Sequence, residues 1–263
     1  MSSKAAGQFL VVAGVFGALW FGLTQIDFVK FFNLRGLSQR TEQKIGDMVV
    51  KAVEQQKRPV KDAKTQKILN KIADRLCESA PLSPGKVTVH LVKSAEVNAF
   101  ALPGNHLVIY TGLINHCDSV EELCGVMGHE IGHIALSHVV KRLGTEIGVS
   151  VLASVATGAG AETISSIIQT LSSRAFERGQ EADADAFSVK TLKKAQIDPD
   201  AFAGFMQKLA ELEGNVPEVL EWVSSHPDSK KRVDAIRAMS LQPSFYHKPI
   251  DSTDWETLKN AAD

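Results

Sequence analysis

A chain of 263 residues with 44% hydrophobic composition can bury one sizeable core or two small ones. Its charges nearly cancel, Lys+Arg 29 against Asp+Glu 30 for a formal net of −1, so no basic field is available to hold a nucleic-acid backbone, and nucleic acid is excluded as an expected partner. Cys77, Cys117 and Cys124 form no CxxC pair and read as buried structural thiols rather than metal ligands; their odd number fits either redox compartment.

The first feature in chain order is an uncharged run over residues 5–26, FLVVAGVFGALWFGL at its heart. As a helix rising about 1.5 Å per residue it reaches roughly 33 Å, enough to cross a bilayer core. A cleaved signal peptide is the alternative, but the following TQIDFVKFF offers no small-x-small cleavage site, which favours a retained anchor. Lys30, Arg35, Arg40 and Lys44 follow the run while only Lys4 and the terminal amine precede it, which by charge counting alone puts the next domain on the cytoplasmic side. Interleaved Asp27, Glu42 and Asp47 dilute that signal. The expected organisation is an anchor and linker over residues 1–37 and one domain over residues 38–263.

Two amphipathic helices come next, the first with Ile45, Met48, Val49, Ala52 and Val53 on one face, the second with Ile68, Leu69, Ile72 and Leu76. PLSPG at 81–85 breaks the helical period, VTVHLV alternates as a strand does, and Pro103, Gly104 and Asn105 separate two strand-like runs in a hairpin pattern. Ser119, with Glu122 three residues on, has the form of a capping box that opens a helix carrying its apolar period through His138 to about Leu143. The stretch 144–171 is rich in Gly, Ala, Ser and β-branched residues; its longest uncharged part, 147–161, is short for a membrane span and reads as a packing segment or a cover. Further helices are expected from about Arg174 to Ala195, in DPDAFAGFMQKLAEL, in SSHPDSKKRVDAIRAMS and in STDWETLKN.

The chemistry concentrates in CGVMGHEIGHIALSH, residues 124–138. Histidines four apart on a helix advance about 400°, so His129 and His133 share a face roughly 6 Å apart and can reach one tetrahedral metal. Glu130 beside them can take a proton from a water that zinc has acidified. The motif alone is moderately specific, but Val126, Met127, Ile131, Ile134 and Leu136 make the helix apolar nearly all round, where uncompensated polar groups cost several kcal/mol. A catalytic zinc wants a third protein ligand. Glu181 and Asp185, again four apart, supply a ligand and an acceptor for the outer N–H of a ligand histidine; Asp183 and Glu177 compete for those roles. His138, five residues beyond His133, points off the ligand face and reads as structural.

HEIGHIALSH, SRAFERGQEADADAF and SSHPDSKKRVDAI, preceded by NAFALPGNHLVIYTGLI, together resemble the gluzincin peptidase family that contains the CAAX prenyl endopeptidases, the heat-shock protease HtpX and bacterial periplasmic quality-control peptidases. The resemblance covers about residues 40–260. It implies an α+β, mostly α, zincin-like domain with a small sheet flanking the HExxH helix. It also implies one Zn2+ per chain held by His129, His133 and Glu181, Asp185 behind them, and Glu130 as general base. NAFALPG is implied to be an edge strand to which a polypeptide substrate adds at Asn98, Ala99 and Phe100. Asn105 stands where the family often has a second glycine; asparagine tolerates positive φ, so the turn is expected to survive. His226 is implied to stabilise the oxyanion or to occupy the fourth metal position and hold the site latent, and Arg232 to orient Glu181, a backbone carbonyl or substrate. The function implied is a membrane-tethered zinc metalloendopeptidase acting on unfolded or misfolded proteins, its domain in the periplasm, against the charge count. The alternative is a chaperone-like binding module with a structural zinc. The multi-span architecture of the CAAX enzymes is missing, so prenyl processing is not implied. No feature of the sequence sets an oligomeric state.

Overall fold

The computed structural model describes residues 38–81, 85–148, 161–173, 175–212, 229–240 and 245–263, with positions 151, 152, 158, 222, 225 and 226. The expected anchor at 5–26, most of the PLSPG break, and Pro227 and Asp228 lie outside the described residues. No helix among the described residues is long and apolar enough to cross a membrane.

Helix α1 (Gln39–Gln56) buries Ile45, Val49 and Val53 at a spacing of four, with Gly46 and Val50 beside them; Met48 and Ala52, expected on that face, are only partly covered. Helix α2 (Ala63–Ser79) starts at Asp62, whose carboxylate accepts the Thr65 N–H, and buries Ile68, Leu69, Ile72 and Leu76. Three strands follow: β1 (Thr88–Val92), β2 (Ala99–Leu102) and β3 (His106–Tyr110). Their order is β1-β3-β2, with β1 parallel and β2 antiparallel to β3. The β2–β3 hairpin turns on Gly104 at φ 73° and Asn105 at φ 61°, so asparagine does adopt the left-handed backbone the turn needs.

After α3 (Thr111–His116) comes the central helix α4 (Val120–Ala135), buried almost throughout. Ser119 Oγ accepts the Glu122 N–H as expected, but the Glu122 carboxylate does not reciprocate: it accepts from Asp118 N at 2.8 Å and from Lys208 Nζ at 2.7 Å, because the ammonium offers a charge-assisted bond. The helix also ends sooner than its apolar period predicts. Ser137 takes a left-handed conformation at φ 58°, and the chain restarts as α5 (His138–Leu143), closed by a π-type turn at Gly144–Gly148.

Part of the 144–171 stretch is helical: α6 (Ala161–Ser173) packs against α1 and β2. Helix α7 (Arg178–Lys194) begins four residues later than expected, and α8 (Asp200–Leu212), α9 (Ser229–Ser240) and α10 (Ser252–Ala262) complete the described elements. Helix α7 lies against α4 at close range because α4 offers glycines to it. A Cβ on Gly128 would stand 2.8 Å from Ser188 Oγ, and one on Gly132 would stand 3.2 Å from the Phe187 side chain. The main core joins α2, the sheet, α4, α7 and α8, with Phe202, Phe205 and Trp222 fully buried. The three cysteines are free and buried.

Candidate metal centre

Two turns of α4 present His129 and His133 to the same side, their Nε2 atoms 3.0 Å apart. From α7, Glu181 places Oε1 at 3.4 Å from His133 Nε2 and Oε2 at 3.7 Å from His129 Nε2. His226 adds Nδ1, 3.2 Å from His129 Nε2 and 2.9 Å from Glu181 Oε1. The four residues are buried and offer ligand atoms all within 4.8 Å of one another. Four donors at zinc's bond lengths of about 2.0–2.2 Å stand roughly 3.3–3.6 Å apart in a tetrahedron. The separations found here straddle that value, and three imidazoles with one carboxylate are a donor set that zinc accepts, so the residues fit the ion.

Outward from these atoms the polar groups are bonded in turn. His129 Nδ1 lies 2.9 Å from Asp185 Oδ1, and Arg232 of α9 grips Asp185 with two bonds, Nε to Oδ2 at 2.8 Å and Nη2 to Oδ1 at 2.7 Å. The same guanidinium reaches Glu181 Oε2 at 2.6 Å and donates to the His226 carbonyl at 3.2 Å. Arg232 thus meets Glu181 and a backbone carbonyl, two of the options left open by the sequence, and Asp185 as well. Of the competing acids, Asp183 and Glu177 are exposed, and Glu177 sits at the start of α7 with its N–H bonded to Gln180 Oε1.

Glu130 faces the other side of His226, whose Nε2 is 3.3 Å from its Oε1. Its carboxylate also accepts Trp222 Nε1–H and the backbone N–H of Ala101, both at 3.1 Å. The Ala101 bond means that β2 turns its outer edge towards Glu130. Ala99 and Phe100 are buried in that strand, and Asn98 Nδ2 donates to the Ser172 carbonyl at the end of α6 at 3.4 Å. Aromatic rings wall the cluster: Trp222 stacks on His226 with centroids 4.4 Å apart, and Phe176 on His133 at 3.9 Å.

Electrostatics follow from this crowding. Burial opposes charge on Glu130, yet the neighbouring His226, His129 and His133 outweigh it and hold the carboxyl down at about 2. Burial likewise works against Glu181 and Asp185, but His226 and Arg232 keep Glu181, and Arg232 keeps Asp185, below the usual carboxylate range. Burial disfavours the imidazolium at His226 too, but Glu181 and Glu130 on either side lift it to about 9. Desolvation pushes His133 down to about 3 and His138 to about 4.

His138 corrects the sequence reading. Instead of pointing away, its Nδ1 lies 3.1 Å from His133 Nδ1, because the left-handed Ser137 turns the chain back. Five residues along an unbroken helix would put it about 140° off the ligand face. Nothing in the local sequence announces the break, since Ser137 is neither Gly nor Asn. Trp222 carries no mark in the sequence beyond its spacing of four from His226 in WVSSH.

The sequence pattern of peptidase family M48 matches residues 61–240, well over half the chain and all the groups just described. The chain belongs to peptidase family M48. This M48 chain is 27% identical over 234 residues to the Beta-barrel assembly-enhancing protease of Yersinia pestis, covering 83% of the chain and 48% of that protein. It is 31% identical over 179 residues to Metalloprotease LoiP of Escherichia coli (strain K12), covering 65% and 69%. To mitochondrial Metalloendopeptidase OMA1 of Bos taurus it is 28% identical over 186 residues, covering 63% and 36%. The M48 chain therefore spans about half or less of the Yersinia and bovine proteins and about two thirds of LoiP.

Proposed function

We propose that this protein is a zinc metalloendopeptidase in which His129, His133 and Glu181 hold the ion and Glu130 is the general base. The observation that carries the reading is the buried set of His129, His133, Glu181 and His226 within 4.8 Å, with the Glu130 carboxylate 3.3 Å from His226. When bound, zinc supplies Lewis acidity, easing the ionisation of water and polarising a peptide carbonyl. Glu130, held by Trp222 and Ala101 N–H, accepts the proton of the attacking water and passes it to the leaving amine. Asp185 and Arg232 fix the tautomer and direction of His129, so that its Nε2 faces the ion. A polypeptide in extended form adds along β2 at Asn98, Ala99 and Phe100, which sets the scissile bond beside Glu130.

The substrate class, unfolded or misfolded protein, rests on the resemblance to quality-control peptidases; the Yersinia relative is named as a protease that enhances Beta-barrel assembly. The single bacterial inner-membrane anchor rests on the uncharged run at 5–26, and the domain's place in the periplasm on the family resemblance, against the charge count. One observation favours a latent form of the same enzyme: His226 Nδ1 already stands among the ligand atoms, where it would compete with water for a bound ion.

Incubation of the full-length chain with zinc and casein, beside Glu130→Gln and a chelator control, tests the peptidase. Cleavage is expected in the wild type and to fall by about 10²–10⁴-fold in Glu130→Gln while zinc stays bound. Full activity in that variant would remove the mechanism. His226→Ala should raise the rate if His226 holds the site shut and lower it if His226 stabilises the oxyanion.

A further inference from the structure

The two histidines of the HExxH helix differ in what stands behind them. His129 gives its outer nitrogen to a carboxylate, Asp185, itself gripped by Arg232. Behind His133 there is an imidazole: His138 Nδ1 is 3.1 Å from His133 Nδ1, with ring centroids 5.1 Å apart and planes at 66°. Both rings are buried, His138 to 4% exposure. Two nitrogens at that distance share one proton, so one must be a donor and the other a lone pair. His133 Nε2 faces His129 and Glu181, the metal side, and must keep its lone pair there. The proton of His133 is therefore on Nδ1, and His138 accepts it as a neutral ring protonated on Nε2.

We propose that His138 is a positioning residue for the metal centre: by accepting the Nδ1–H of His133 it fixes the tautomer and ring angle that aim Nε2 at the ion. The device is assembled by the left-handed Ser137, which brings the first residue of α5 back over the last turn of α4, where His133 lies. The inference rests on the metal reading above. A histidine whose outer nitrogen has lost its partner binds metal about 10–100-fold more weakly, since the ring is free to turn and to take the wrong tautomer.

Zinc affinity of the full-length protein, measured by competition with a chromophoric chelator, tests this without recourse to activity. His138→Phe keeps the ring's bulk beside His133 but removes the acceptor; its zinc dissociation constant should rise about 10–100-fold. His138→Asn returns an oxygen acceptor near the place of Nδ1 and should stay within about threefold of the wild type. The thermal midpoint of the zinc-free protein is read in all three. Equal zinc affinity in the wild type and His138→Phe would overturn the inference alone. So would equal losses in both variants that track a lowered zinc-free midpoint, since packing would then be the cause. Absence of zinc binding by the wild type would overturn the metal site and this inference with it.

Discussion

Arg232 shows how much a single residue carries. Arg232 is 6% exposed, and its guanidinium bonds Asp185 twice and Glu181 once, so that, with His226 beside Glu181, it keeps these two buried acids charged in a dry environment. Removing one partner of a buried ion pair strands the other and costs about 3–5 kcal/mol. Arg232→Ala should lower zinc-free stability by about that amount in urea denaturation, and Arg232→Lys should recover only part of it, because an ammonium cannot match the fork on Asp185. An Arg232→Ala protein within about 1 kcal/mol of wild type would mean that solvent reaches the acids. His129 and His133 were legible as a pair because helical spacing alone puts them on one face. The sequence offers Arg232 as an orienter of Glu181, a backbone carbonyl or substrate; its fork on Asp185 was not legible, since that acid lies on α7, far away in the chain.

At the scale of elements, the approach of α7 to α4 decides whether Glu181 reaches the histidines. Gly128 is the contact point, with Ser188 Oγ bonded to the Gly125 carbonyl at 2.8 Å just across it. Gly128→Ala should destabilise the fold by about 1–3 kcal/mol and weaken zinc binding, as overpacking pushes the helices apart. Adding Ser188→Ala, which removes the crowded hydroxyl, should restore part of both; failure of that second change to relieve the first would place the strain elsewhere. Helix α1 is tied to the sheet differently. His90 Nε2 and His106 Nδ1 lie 2.9 Å apart, and His106 Nε2 is 3.2 Å from Asp47 of α1. Burial and the neighbouring His106 push His90 down to about 4, and burial lowers His106 against the pull of Asp47. Histidines whose folded values lie below their ordinary 6.5 bind protons more readily when unfolded. Their contribution is whole above about pH 6.5 and is lost as pH falls from there towards 4. The urea midpoint should fall over that window and fall less in His90→Gln; a flat wild-type profile between pH 6.5 and 4 would refute the assignment. The helix and strand types were readable here because each carries its own hydrophobic period. The break at Ser137 was not, because a left-handed serine is imposed by the packing of α5 and has no residue signature.

Across the whole molecule, the metal-facing atoms come from α4, from α7 and from His226, positions about 50 and 100 residues apart that a bound ion would join. An ion that binds only the folded chain stabilises it by about 4 kcal/mol at a free concentration 1,000 times its dissociation constant. Zinc should therefore raise the unfolding midpoint of wild type and of Glu130→Gln alike, and a chelator should reverse it. A midpoint indifferent to zinc would show that the four side chains are a hydrogen-bonded core and no more. The sequence by itself determined the elements and the paired spacings, His129 with His133 and Glu181 with Asp185, because a helix repeats every 3.6 residues whatever surrounds it. Tertiary structure alone decided which acid of α7 faces the histidines and that Arg232 and Trp222 close the ring of hydrogen bonds. It alone also turned His138 inward. Those outcomes depend on where separate helices dock, which is set by glycine-sized gaps and by one left-handed residue rather than by any local pattern.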